Sequence, residues 1–253
     1  MAAPIRIDRE GDLGELEQAV KNGKTWDAVI DNSGYVPAHV TATAELLKDA
    51  AQRYVFISTI SVYGSIPEAG IDETFRVTDT DDEQAAKVTK IREVGALYGP
   101  LKYRCEVAAE AAMPGRAAVL RPGLIAGPGD PTDRFTYWPV RTGMVERCGG
   151  KMLVPGANGA AQKIQMIDAR DLAAFCLQAC NEEVAGGVYN LVADPESLGE
   201  AVKGGKSAVA ESAEPELVSM EFLATQPVAF WQELPAVLPT DGAMGGMSAV
   251  SNA

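Results

Sequence analysis

The chain has 253 residues, 47% apolar and 23% charged, enough for a sizeable core in one large domain or one domain with a smaller appendage. Its formal net charge of −13 repels phosphate backbones and argues against general nucleic-acid binding. No apolar run is long enough to cross a bilayer, and "MAAPIRIDRE" lacks the basic-then-apolar order of a secretory signal.

A short strand is read at "PIRI", then a loop and helix start in Gly11–Val20. Ala28–Ile30, ending in Asp-Asn-Ser-Gly, reads as a buried strand and turn. In the segment that follows, Val40, Ala44, Leu47 and Ala51 share one helical face. Tyr54–Ile57 is a second buried strand of β-formers. Residues 64–96, with the acidic run Thr78–Glu83, read as a long surface loop holding a short helix. Leu101, Cys105, Ala108 and Ala112 form a helical stripe, with Tyr98, Lys102, Cys105 and Ala109 beside it, and Pro100 must sit in the first turn.

Arg116–Gly123 is a third buried strand, broken by Pro122, and "KMLVPG" is a short one. "IDARDLAAFCLQACNEE" is a helix with Leu172, Cys176 and Ala179 inward, and Gly186–Val192 is a further strand. Strands alternating with helices give an α/β class with a mostly parallel sheet. Residues 194–253 read as a linker, a docking segment around Trp231–Leu238 and a disordered tail.

Several chemistries fall away. The four cysteines (Cys105, Cys148, Cys176, Cys180) form no Cys-x-x-Cys pair and read as buried reduced thiols of a cytosolic protein. His39 is the single histidine, so multi-histidine metal sites are excluded, and no nucleophile elbow accompanies it. "GGKS" (Gly204–Ser207) imitates the end of a phosphate loop, but Glu200 stands where that loop needs glycine. "GDLGELEQAV" imitates a dinucleotide loop, yet Asp12, Glu15 and Glu17 suit a helix dipole and not a pyrophosphate.

The constellation that carries chemistry is Ser58-Thr59-Ile60-Ser61-Val62-Tyr63-Gly64 at a strand end, followed by Tyr98-x-x-x-Lys102 on a helix. Ligands of open α/β sheets bind outside the carboxyl ends of strands. A free phenol titrates near about 10, and a lysine one turn away would lower that value and favour acid/base work. Thr59 could then hold a substrate oxygen while Tyr98 moves its proton and a nicotinamide exchanges hydride. By itself such a pair is weak, because solvated i, i+4 pairs are common.

"VFISTISVYGS", "YGPLK", "AAVLRPGLIAGPGDPTDRF", "IQMIDARDLAAF" and "GGVYNLV", in that order, resemble the NAD-dependent epimerase/dehydratase family, the extended short-chain dehydrogenase/reductases, over roughly residues 5–193. The resemblance implies a Rossmann-like doubly wound parallel sheet, incomplete, over residues 1–193, with substrate-side segments at about 124–165. It implies NAD or NADP as cofactor, a small and sugar-like substrate, a cytoplasmic location and a helix-mediated homodimer. Thr59, Tyr98 and Lys102 match the catalytic group. Asn32, Ser33, Gly34, Ser58, Pro122, Gly123 and Leu124, with Tyr98 and Lys102, match cofactor-lining positions, and Asp8 resembles the acid near the adenine.

Two departures stand beside this. The family opens with a glycine-rich βαβ part and continues at the C-terminus. Here about two βα units, on the order of 60 residues, are expected to be missing, with sheet edges exposed, and the end is expected to be clipped. The arginine usual before the "IDARDLA" helix in nucleotide-sugar epimerases has no counterpart, Lys163 being offset. The rival reading is therefore an inactive relative, serving as a pseudoenzyme, cofactor sensor or interaction module. An RNA-binding relative is disfavoured by the charge.

Overall fold

The computed structural model describes residues 4–64, 70–148, 151–157, 160–197 apart from 162, 182 and 195, and 215–225 apart from 220, 223 and 224. The "GGKS" segment, the Trp231–Leu238 segment and the tail lie outside the described residues. Along the chain run α1 (Gly14–Lys21), β1 (Trp26–Asp31), α2 (Pro37–Leu47), β2 (Ala51–Ile57), α3 (Asp82–Lys87) and α4 (Tyr98–Ala112). Then follow β3 (Ala117–Pro122), β4 (Leu124–Ala126), α5 (Tyr137–Cys148), β5 (Met152–Ala157), β6 (Ala160–Ala161), β7 (Lys163–Ile164) and β8 (Met166–Asp168). Last come α6 (Ala169–Cys180), β9 (Gly187–Leu191), β10 (Glu196–Ser197) and β11 (Pro215–Val218).

The main sheet has the order β1-β2-β3-β9, every pair parallel. Helices cover both faces, and the period of two in β2 shows how. Tyr54 and Phe56 face α1, α2 and α4, joining Leu16, Val40, Ala44, Cys105 and Ala109 in one core. Val55 faces the other way, onto Leu172, Cys176 and Ala179 of α6, with Ala118 and Leu120 of β3. Strands buried on both sides read as continuous apolar runs, which is why β2 and β3 stand out in the sequence. This is an α/β Rossmann-like doubly wound topology with a smaller C-terminal region.

β1 forms one edge of this sheet, and its Ile30 is 45% exposed. A smaller core, around Trp138, Met152, Val154, Ile164 and Leu124, sits beyond the carboxyl ends of the strands. There β4 pairs with β8, and β5 lies between β11 and β6.

Some sequence expectations change. "PIRI" forms no strand; the chain instead closes a turn at Asp8–Asp12, where Asp8 N–H donates to the Asp12 carbonyl and Asp12 N–H to that of Asp8. Pro122 does not break β3: it pairs with Leu191 as the last strand residue, where its missing N–H removes nothing the ladder needs. The long loop carries α3, capped by the Asp81 carboxylate accepting from Gln84 N at 2.7 Å, and two 3-10 turns. No helix of the described residues is long and apolar enough to cross a membrane.

Candidate active site

β2 delivers Ser58 and Thr59 to the carboxyl edge of the sheet, and the chain then winds into a buried 3-10 turn, Ile60–Tyr63, capped by Thr59 accepting from Ser61 N at 3.1 Å. The N-terminus of α4 rests directly on this turn. A Cβ at Gly99 would lie 2.3 Å from the Ser61 carbonyl oxygen, so only glycine permits the approach. Pro100 occupies the third helical position, where its missing N–H costs nothing. Tyr98 is thereby set beside Thr59.

Six of the sequence-predicted residues, Ser58, Thr59, Tyr98, Pro122, Gly123 and Leu124, line one cavity of about 320 Å³. Tyr35, Ser61, Ile125 and Arg134 complete it. Ser61 belongs to the Ser58–Gly64 run that the sequence singled out, whereas Tyr35, Ile125 and Arg134 were missed; Arg134 lies inside the quoted "GPGDPTDRF" stretch, the one signal that could have pointed to it. A larger hollow of about 630 Å³ lies between the Arg9–Leu13 turn, α2 and α4 and shares no lining residue with this one. The smaller cavity is where the hydroxyls and the phenol converge.

Lys102 is placed differently from the sequence expectation. It is only 3% exposed and does not line the cavity. Its ammonium donates to the Gly34 carbonyl at 2.7 Å and to the Ile57 carbonyl at 2.6 Å, tying the ends of β1 and β2 together. The Phe56 ring lies 4.3 Å away and the Tyr35 ring 5.1 Å, faces that attract a cation. Burial lowers its pKa from 10.5 to about 8. The Tyr98 phenol is accordingly not lowered. Burial raises it above its ordinary value, the Tyr35 phenol adds to this, and a hydrogen bond with Thr59 and the charge of Arg134 oppose it. At neutral pH Tyr98 therefore holds its proton.

Of the remaining predicted positions, Gly34 is buried and packs so tightly that a Cβ would lie 2.5 Å from Phe56 Cε2. Asn32 and Ser33 are exposed at the end of β1. Asp8 is exposed in its turn, with Oδ1 accepting from Glu10 N at 2.9 Å, and does not line the cavity.

Two buried polar networks brace the site. Arg121 donates to both oxygens of Glu106, at 3.0 and 2.6 Å, and to Tyr63 Oη at 2.9 Å. Tyr63 donates to Asn190 Oδ1 at 2.7 Å, and the Ser58 hydroxyl donates to Glu106. The network joins the floor of the cavity to α4, β3 and β9. At the end of β1, Arg9 grips Asp31 at 2.6 and 2.9 Å and donates to Thr43 Oγ1 at 2.9 Å and to Ser33 Oγ at 3.2 Å, while the Tyr54 hydroxyl donates to Asp31 at 2.7 Å. Burial pushes the Asp31 carboxyl up, but the Arg9 bond and charge outweigh it and hold it below the usual carboxylate range.

The fit to a nicotinamide dinucleotide divides in two. The backbone of Pro122–Leu124, the Ser58 and Thr59 hydroxyls and the Tyr98 phenol suit a nicotinamide ring and its amide. The glycine-bearing N-terminal turn does not suit a pyrophosphate: it is closed on itself and carries Asp8, Glu10, Asp12 and Glu15, which repel phosphate.

No family model and no curated protein matches the chain. Solved structures do. The Bordetella bronchiseptica enzyme WbmG, in complex with NAD and UDP, is 16% identical with a TM-score of 0.61, covering 88% of this chain and 65% of its own. A dTDP-4-dehydrorhamnose reductase from Bacillus anthracis, in complex with NADP, is 18% identical with a TM-score of 0.60, covering 86% of this chain and 73% of its own. A short-chain dehydrogenase/reductase superfamily protein from Agrobacterium tumefaciens, with bound NAD, is 18% identical with a TM-score of 0.57, covering 84% of this chain and 72% of its own. The likeness is one of fold, and this chain spans about two thirds of the length of the Bordetella enzyme.

Proposed function

We propose that this chain is an oxidoreductase or epimerase of the short-chain dehydrogenase/reductase type, acting with NAD or NADP on a small, sugar-like hydroxyl or carbonyl compound. The observation that carries the reading is the Tyr98 phenol, protonated at neutral pH, hydrogen-bonded to Thr59 and opening on the same cavity. The solution of similar folds with NAD, NADP and UDP supports it.

A bound nicotinamide would supply hydride to the substrate carbon. The chain's own part is acid catalysis. Thr59 holds the carbonyl oxygen, and Tyr98 donates its proton as negative charge develops there. A phenol that holds its proton at neutral pH is in the protonation state that an acid needs. Lys102 acts from behind, fixing Gly34 and Ile57 and hence the strand ends that carry Ser58 and Thr59.

The test is oxidation of NADH or NADPH by purified chain with a panel of keto sugars. Tyr98→Phe should lower the rate by on the order of 10²–10⁴. A Tyr98→Phe variant as fast as wild type would overturn the reading. A second reading, an inactive relative serving as a pseudoenzyme, cofactor sensor or interaction module, is favoured by the closed acidic turn at Asp8–Asp12 and the retracted Lys102. No turnover on any substrate, with or without cofactor binding, would select it.

A further inference from the structure

We infer that Tyr35 is a positioning residue for the proton donor: its ring carries the placement of the buried Lys102 ammonium to the Tyr98 phenol. This rests on the reading of Tyr98 as the proton donor. Tyr35 lies in the connection from β1 to α2 and lines the same cavity as Tyr98 and Thr59.

Tyr98 and Lys102 stand one turn apart on α4, the spacing at which side chains are neighbours. Yet the ammonium is directed at the Gly34 and Ile57 carbonyls. The groups that act on the Tyr98 proton come from three other places: Thr59 at the end of β2, Tyr35, and Arg134 in the loop before α5. Of these, Tyr35 also meets the cation. Its ring centroid lies 5.1 Å from Lys102 Nζ and 6.2 Å from the centroid of the Tyr98 ring, the two planes tilted by 38°. A cation is drawn to a ring face, and offset or tilted ring pairs at such separations attract.

The Tyr35 ring is held from several sides. Lys102 fixes the backbone immediately before it, through the Gly34 carbonyl at 2.7 Å. Two residues on, Pro37 opens α2 and restricts the direction the chain takes. Val36, Val88, Val94 and Leu101 form a buried apolar cluster on which both Tyr35 and Tyr98 pack. The two phenols therefore share one bed, and the place of the first limits the place of the second. Burial is the largest cause that raises the Tyr98 pKa, and the Tyr35 ring is part of what covers it. Leucine at position 35 would keep the apolar character but lose the ring face for Lys102 and the ring contact with Tyr98. Phenylalanine would keep both.

The test follows the Tyr98 phenol by NMR in the full chain labelled at its tyrosines, the signal being assigned by its loss in Tyr98→Phe. A free phenol is half ionised near about pH 10. There Tyr98 should stay largely protonated in wild type and in Tyr35→Phe, and should be about half ionised in Tyr35→Leu. In hydride transfer, Tyr35→Leu should lower kcat by about tenfold with KM unchanged, and Tyr35→Phe should stay within about twofold of wild type. Tyr35→Met, nearer in length, replaces Tyr35→Leu if that variant does not fold. Tyr98 titrating alike in all three proteins, or Tyr35→Phe disturbing it as much as Tyr35→Leu, would overturn the proposal. The expected titrations with no hydride transfer in any protein would count against the proton-donor reading alone.

Discussion

Replacing Lys102 with methionine should change how stability depends on pH, in a direction fixed by the structure. The ammonium is buried, and its pKa falls from 10.5 in the open chain to about 8 in the fold. Between those values the unfolded chain holds a proton that the native protein has released. Stability therefore rises with pH across this window, and the gain is lost as pH falls back through 8. Integrated from pH 8 to 9 for one such group, the gain is about 1 kcal/mol. Cys105, whose thiol burial pushes up from 9.0 to about 12, works in the opposite sense within this window, but both proteins carry it, so the comparison is made on their difference. The assay is urea unfolding followed by circular dichroism at pH 7, 8 and 9, for wild type and Lys102→Met. Wild type should gain about 1 kcal/mol over the variant between pH 8 and 9. A difference that stays flat or falls would mean that Lys102 is not held as a buried cation by Gly34 and Ile57.

Other outcomes follow from the bracing around the cavity. Glu106→Ala leaves Arg121 buried without its carboxylate, the two side chains being 5% and 4% exposed, and should cost about 3–5 kcal/mol in urea unfolding. Gly99→Ala drives a methyl group into the Ser61 carbonyl and should cost about 1–3 kcal/mol in thermal or urea melts. Because α4 must then lift off the 60–63 turn, the same variant should lose hydride-transfer activity out of proportion to its stability.

The main sheet was legible because its central strands are buried on both faces, so Tyr54–Ile57 and Arg116–Gly123 appear as unbroken apolar runs. Helical spacing located α4 and placed Tyr98 and Lys102 one turn apart. It did not show where the lysine points. That depends on two carbonyls, Gly34 and Ile57, which lie 68 and 45 residues away in sequence. The Glu106–Arg121–Tyr63–Asn190 network was hidden for the same reason: each member is an ordinary polar residue until the sheet brings α4, β3 and β9 together. Arg134 escaped notice because its loop is shaped by Asp130 and Thr132, and nothing in a Gly/Pro-rich run signals which side chain turns inward. At "PIRI" the pattern misled, since four residues with alternating apolar positions cannot form a strand without a neighbour to pair with.

The proposed function requires a nicotinamide beside Tyr98. Titration of the purified protein with NADH and with NADPH, followed by nicotinamide fluorescence, tests this most directly. Saturable binding of one or both at micromolar concentrations is the predicted result. No binding of either up to millimolar concentrations would contradict it.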